Sequence, residues 1–267
     1  MSDTRHEDAT KAAAAPAFTA REMMAIAAGR LVQDGDIVFA GTGVALLAAM
    51  AAKRIYAPKA TIFFETGGID PALDEIPLAV ADSRVMAGTC LNAGLVESFS
   101  YIASPRLHTI AFLGAAQIDR FGNLNSTCIG DVRHPTVRFA GSGGACDAAS
   151  LASGFIVFMQ HGKRKFVEQL DYLTSPGWLE GGDSRARAGF TRGGPLAVVS
   201  DLGVMRFAET THEMYLAERF PDVTDEKVRE NTGFALDCER AVDADPPTAD
   251  ELHILRTEVD PQRLILG

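Results

Sequence analysis

The sequence predicts an α/β protein with an open, mostly parallel twisted sheet and helices on both faces. Three observations carry that reading. Short apolar runs at residues 37–40, 61–64, 110–113 and 155–160 have the length and the β-branched and aromatic content of buried strands. Between the first two lies an Ala-rich stretch at helical spacing. Two glycine turns, Gly41-Thr42-Gly43 and Gly141-Ser142-Gly143-Gly144-Ala145, each follow a strand pattern and open a helix pattern.

Taken in order, residues 1–17 mix charge and alanine without an apolar core and are expected to form a disordered tail. Residues 18–267 form the domain. Thr19 is a plausible N-cap for a first helix, with Met23, Ala27 and Leu31 on one face and Gly35 ending it. The strand at 37–40, the Gly41–Gly43 turn, a helix closed by Lys53, Arg54 and Pro58, and the strand TIFF then make a βαβ unit with a right-handed crossover. The proline-punctuated stretch after Gly68 reads as irregular chain draped over strand ends, followed by a helical patch at 95–103 and the 110–113 strand. DRFGNLN is a turn, residues 137–140 a further strand, and CDAASLASG a short helix. A strand is expected within 166–176, a hairpin over 196–207, and a polar, helical C-terminal third with helices at 224–230 and 250–256.

Composition narrows the function. The 267 residues, 47% hydrophobic and 22% charged, suffice for a large core, and no apolar run approaches the roughly 20 residues of a membrane span. A net charge of −10 opposes nucleic-acid binding, which calls for a basic face. Cys90, Cys128, Cys146 and Cys238 make no CxxC pair and read as reduced thiols of a cytoplasmic protein, and the six histidines show no metal-binding spacing. No metal site is expected.

Glu65 is the residue that stands out. It ends the TIFF strand and opens a Thr-Gly-Gly turn, with no Lys or Arg in the ten residues that follow. On local sequence alone it is a solvated turn residue. A carboxylate at the end of a parallel strand, however, lies where α/β proteins bind ligands. Gly41, Thr42 and Gly43, candidates for the substrate pocket, imitate a dinucleotide fingerprint with Glu65 about 20 residues on, but Leu46 occupies the third glycine position. The alternative chemistry is nucleophilic: a dry carboxylate accepts an acyl group from a thioester, while backbone N–H groups of the Gly143, Gly144 and Ala145 turn meet the oxyanion. Gln117, Asn123 and Asn125 are amides suited to orienting a carboxyl group, and the run His161 to Lys165 is a candidate phosphate contact or a solvated connection.

The segments GTGVALLAAMAAKRIYAPKATIFFETGGID, FLGAAQIDRFGNLNST, GDVRHPTVRFAGSGGA, FMQHGKRKF, DYLTSPGW and NTGF, in this order, resemble the B (β) subunits of glutaconate CoA-transferases, class I CoA-transferases, from about residue 20 onward. The resemblance implies the class I fold and a hetero-oligomer in which an A (α) subunit completes the site. It implies that CoA enters as part of an acyl-CoA substrate with no tightly bound cofactor. Glu65 then matches the nucleophile, forming an acyl-glutamyl anhydride and a glutamyl-CoA thioester, and Gly143 and Gly144 match a glycine element beside the thioester. Related branches are a decarboxylase, in which cysteine replaces this glutamate, and a ring-cleaving hydrolase, which lacks it. Gly162 departs from an acidic residue expected in the basic run. A non-enzymatic nucleotide-binding module is the remaining alternative.

Overall fold

A computed structural model describes residues 17–267, so the tail expected over 1–17 lies outside the described residues apart from Ala17. The chain runs α1 (Ala20–Gly29), β1 (Ile37–Ala40), α2 (Val44–Ile55), β2 (Thr61–Phe63), β3 (Gly68–Ile69), β4 (Leu91–Asn92), α3 (Leu95–Ala103) and β5 (Thr109–Gly114). It continues through β6 (Gln117–Ile118), β7 (Leu124–Asn125), β8 (Cys128–Ile129), β9 (Val137–Arg138), α4 (Ala145–Leu151), β10 (Gly154–Phe158) and α5 (Ser184–Arg187). The last part comprises β11 (Pro195–Val199), β12 (Gly203–Phe207), β13 (Met214–Arg219), α6 (Asp225–Glu230), β14 (Val242–Asp243) and α7 (Ala249–Ile254).

Ten strands form one sheet in the order β14-β13-β12-β11-β10-β5-β1-β2-β3-β4. Its centre, β11-β10-β5-β1-β2, is entirely parallel, and both flanks carry antiparallel pairs. The chain adds β2 on one side of β1 and β5, β10 and β11 on the other, so the reversal of strand order that opens a crevice at the carboxyl ends falls at β1.

Alternation along the strands divides the core in two. Val38, Ile62, Ile110, Phe112 and Ile156 face α1, α2 and the C-terminal helix, while Phe39, Phe63, Ala111, Phe155 and Val157 face the side covered by α4. Burial on both faces explains why these strands read as continuous apolar runs.

The N-cap of α1 is the one the sequence indicates. Thr19 Oγ1 accepts the Glu22 N–H and Glu22 Oε2 accepts the Thr19 N–H at 2.8 Å, a capping box. The helix ends at Gly29 rather than Gly35, because Leu31 and Val32 tighten into turns onto Ala28 and Gly29. Arg30 then leaves the helix to pair with Glu251 at 2.8 Å and to donate to the Asp245 and Pro246 carbonyls. Tyr56 also donates to Glu251, whose pKa is lowered to about 2: the hydrogen bonds from Arg30 and Tyr56 outweigh the upward push of burial. Glu22, fully buried, pairs with Arg256 at 2.6 Å. These two pairs fasten the C-terminal helix, and the π-helical turn Leu255–Val259 after it, onto the first two helices.

Four other expectations are corrected. Residues 166–176 form no strand but wrap the β6–β7 hairpin through single bridges at Phe166 and Ser175. The strand near 137 is only Val137–Arg138 and pairs with β8 in a separate two-stranded sheet. The stretch after Gly68 is irregular over residues 70–90, as expected, but its two ends extend the sheet edge as β3 and β4. Within the C-terminal third, MYLAER has helix-forming composition yet is β13, held by pairing with β12 and by inward-facing Met214 and Leu216.

Breaking the Arg30–Glu251 pair from one side leaves a nearly buried charge. Arg30→Ala is expected to lower unfolding free energy by about 3 kcal/mol. In a Glu251→Gln background the same substitution should cost clearly less, as urea titration of the four proteins in a double-mutant cycle would show.

Candidate functional site

The β2 alternation fixes where Glu65 goes. Phe63 faces the α4 side, Phe64 the opposite core, and Glu65 therefore returns to the α4 side at the carboxyl end of the strand. The turn behind it is tight: Gly67 N–H donates to Phe64 O at 3.0 Å and Phe64 N–H to Gly68 O at 3.0 Å. Gly67 takes φ +108°, and a β-carbon there would stand 1.7 Å from Ala93 O, so glycine is required on both counts.

The half-buried Glu65 lines an open cleft of about 640 Å³ with Leu95, Val96, Phe99, Gly143, Gly144 and Leu151 among its walls. The two stretches singled out in the sequence thus meet. Gly144 has an ordinary φ of −80°, so its conformation suits any residue. The space does not: a β-carbon on Gly144 would lie 2.6 Å from Glu65 Oε2 and 2.5 Å from Phe99 Cζ. Glycine is needed there for close approach, whereas Gly143, at φ +50°, supplies the turn.

Among the described residues, Glu65 enters no ion pair and accepts no hydrogen bond, and no Lys or Arg lines its cleft. Lys53, at the end of the helix preceding β2, pairs with Asp70 instead. The amides of Gly143 and Gly144 likewise bond to nothing among the described residues, leaving two donors beside the carboxylate's cleft. Ala145 differs from the expectation: its N–H closes the turn onto Ser142 O at 3.0 Å and is not free to meet a ligand.

The remaining sequence candidates lie elsewhere. Gly43 caps α2 and lines a second cleft, of about 700 Å³, with Phe158, Met159 and Gln160; Gly41 and Thr42 line neither cleft. Leu46 is fully buried where a dinucleotide fingerprint would need glycine. Gln117, Asn123 and Asn125 are buried, and their amides serve the chain. Asn125 Nδ2 donates to Gln117 Oε1 at 2.7 Å and to Cys128 O, and Gln117 Nε2 donates to Asp171. Asn123 Oδ1 accepts from Gly177 and Leu179 N–H while its Nδ2 donates to Asp119 and Leu179 O. None of the three lines the Glu65 cleft; they staple segment 171–179 to the β6–β7 hairpin.

Sequence reading passed over Phe99, whose ring stands 5.9 Å from that of Phe39, itself 5.3 Å from Phe63. Its spacing within the α3 pattern gave no sign of a place beside Glu65. Among the described residues no cluster of His, Cys, Asp and Glu could hold a metal, and no helix is long and apolar enough to cross a membrane.

The basic run divides. His161 stacks on Phe166 at 3.8 Å, with its ring nitrogens on Ser200 Oγ and Thr232 Oγ1. Burial lowers its pKa to about 4, against a smaller upward push from Asp201. A folded pKa below the unfolded value means that the unfolded chain binds the proton first. Stability is therefore intact above about pH 6.5 and declines as pH falls toward 4, by up to about 3 kcal/mol. Thermal unfolding from pH 4 to 7 should show this slope, and it should flatten in His161→Asn.

The coenzyme A transferase family model matches residues 21–231. The B subunit of glutaconate CoA-transferase from Acidaminococcus fermentans is 43% identical over 91% of this chain and 93% of its own. The B subunit of 3-oxoadipate CoA-transferase from Pseudomonas knackmussii is 37% identical over 90% and 93%. The crystal structure of glutaconate coenzyme A-transferase from A. fermentans superposes with a TM-score of 0.90 at 40% identity, covering 95% of this chain and 99% of that one. A cholesterol ring-cleaving hydrolase subunit of Mycobacterium tuberculosis is more distant, at 30% identity over 92% and 96%. With the ten-stranded sheet and the Glu65 cleft, these matches make the chain a member of the coenzyme A transferase family.

Proposed function

We propose that this chain is the B subunit of a heteromeric CoA-transferase that moves CoA between an acyl-CoA and a free carboxylic acid, such as the dicarboxylate glutaconate. The observation that carries the reading is the unpaired Glu65 carboxylate over Gly144, in a cleft whose other walls are largely apolar. A carboxylate with no cation beside it keeps its nucleophilicity. Its oxygen attacks the thioester carbonyl, the C–S bond breaks, and CoA thiolate leaves an acyl-glutamyl anhydride. The thiolate then attacks the glutamyl carbonyl, releasing the first acid and leaving a glutamyl-CoA thioester. The acceptor carboxylate runs the same two steps in reverse, which gives ping-pong kinetics. The free amides of Gly143 and Gly144 are the donors for the oxyanion of these steps. CoA is substrate here, and no tightly bound cofactor is needed.

The partner is an A subunit. Helix α3 buries only Ser98 and Ile102 and leaves Leu95 and Val96 57% and 75% exposed at the cleft mouth, an apolar rim suited to cover by another chain. The four unpaired cysteines accord with the cytoplasm. A decarboxylase or ring-cleaving hydrolase would turn over acyl-CoA without an acceptor acid, whereas this chain's glutamate favours transfer.

Incubating the assembled enzyme with acyl-CoA alone should leave CoA bound to the Glu65 peptide, detectable by mass spectrometry. Glu65→Ala should abolish both adduct and transfer, and Glu65→Asp should lower transfer about 100-fold by withdrawing the nucleophile roughly 1 Å. Full activity in Glu65→Ala, or turnover independent of acceptor, would sink the proposal. The chain without its A subunit should be inactive.

Gly144→Ala should lower kcat about 100-fold, because its methyl takes the space of the Glu65 carboxylate. Melting temperature should fall as well, because the same methyl meets the Phe99 ring, which packs on Phe39.

A further inference from the structure

We infer that Phe99 is the residue that orients the Glu65 carboxylate and keeps water from its acylated forms, setting the balance between transfer and hydrolysis. The inference rests on the glutamyl mechanism proposed above and adds a residue that the mechanism does not use.

The geometry begins at Gly144. A β-carbon placed on Gly144 would lie 2.5 Å from Phe99 Cζ and 2.6 Å from Glu65 Oε2. The ring edge and the carboxylate oxygen thus border the same space over Gly144, in one cleft. An aromatic ring carries positive potential at its edge, so the C–H edge favours an anion without offering it a proton. A Lys or Arg in that place would hold the carboxylate more strongly and blunt its attack; Phe99 holds it weakly and leaves its lone pairs available.

Phe99 is itself held by the strand that carries Glu65. Its ring packs at 5.9 Å from Phe39, and Phe39 at 5.3 Å from Phe63, the last residue of β2, two before Glu65 and facing the same side. Phe39 and Phe63 are also register partners in the sheet. The three rings and the glutamate form a closed circuit through β1, β2 and α3, so a shift of α3 moves the ring relative to the carboxylate.

The consequence concerns water. Anhydride and thioester carbonyls on Glu65 sit where that carboxylate sits, beside the space over Gly144 that the Phe99 edge also borders. Water attack on either carbonyl regenerates the glutamate, and the net reaction is acyl-CoA plus water to acid plus CoA thiol. A half-buried phenyl ring at that spot occupies the approach of a water molecule from its side of the cleft.

The test uses the assembled enzyme. Free thiol released from acyl-CoA without acceptor measures hydrolysis, acceptor-CoA formed with acceptor measures transfer, and quenched samples give the lifetime of the Glu65 adduct. Phe99→Ala is expected to raise the ratio of hydrolysis to transfer about tenfold or more and to shorten the adduct lifetime in proportion. Phe99→Leu, which keeps bulk, should remain close to wild type. Should Phe99→Ala fail to assemble, Phe99→Val supplies the truncation. Loss of transfer with an unchanged ratio and unchanged adduct lifetime overturns the inference, since a purely structural role lowers both reactions together. If wild-type enzyme forms no adduct, the covalent reading fails and this inference with it. An adduct whose lifetime ignores Phe99 refutes the inference alone.

Discussion

A β-strand sends successive side chains to opposite faces, and continued past the end of β2 that alternation carries Phe63 and Glu65 to one side and Phe64 to the other. The site follows from this. Shifted by one residue, the carboxylate would enter the core beneath α2 and Phe64 would enter the cleft. Burial of both phenylalanines, at 1% and 0% exposure, fixes the register, because a slip would exchange every inward side chain. The placement of Glu65 in the cleft is a by-product of core packing.

Around that fixed point the molecule spends its polar groups unevenly. Buried amides, carboxylates and guanidinium groups away from the cleft are nearly all satisfied: Asn123, Asn125 and Gln117 staple loops, and Glu22 and Glu251 fasten the C-terminal helix. In the Glu65 cleft the pattern reverses. The carboxylate and the two glycine amides are unpaired among the described residues. Groups left without a protein partner there are free to meet a ligand, as the proposed transfer requires.

The glycines illustrate two separate demands. Gly143 permits a left-handed turn, and Gly144 permits two side chains to approach one backbone atom. In the sequence they are simply adjacent letters of GSGGA. The apolar rim of α3 carries a related ambiguity. Leu95 and Val96 open the apolar helical patch, yet they stand in solvent, where the proposed partner would cover them.

The parallel centre of the sheet, the capped first helix, the βαβ unit and the prominence of Glu65 are all legible in the residue order. Each rests on local signals: apolar runs, a Thr-x-x-Glu cap, glycine turns and a carboxylate at a strand end. Membership of the coenzyme A transferase family was legible too, through motifs whose order is linear in the chain. Folding in three dimensions was needed to separate the buried amides from the cleft, close the Ala145 amide onto Ser142, turn MYLAER into a strand and set Phe99 beside Glu65. Those outcomes depend on partners distant in sequence: a strand that supplies pairing, a carbonyl that takes a hydrogen bond, a ring that packs on another ring. Such contacts leave no period or spacing in the residues that make them, and so they are decided only when the chain folds back on itself.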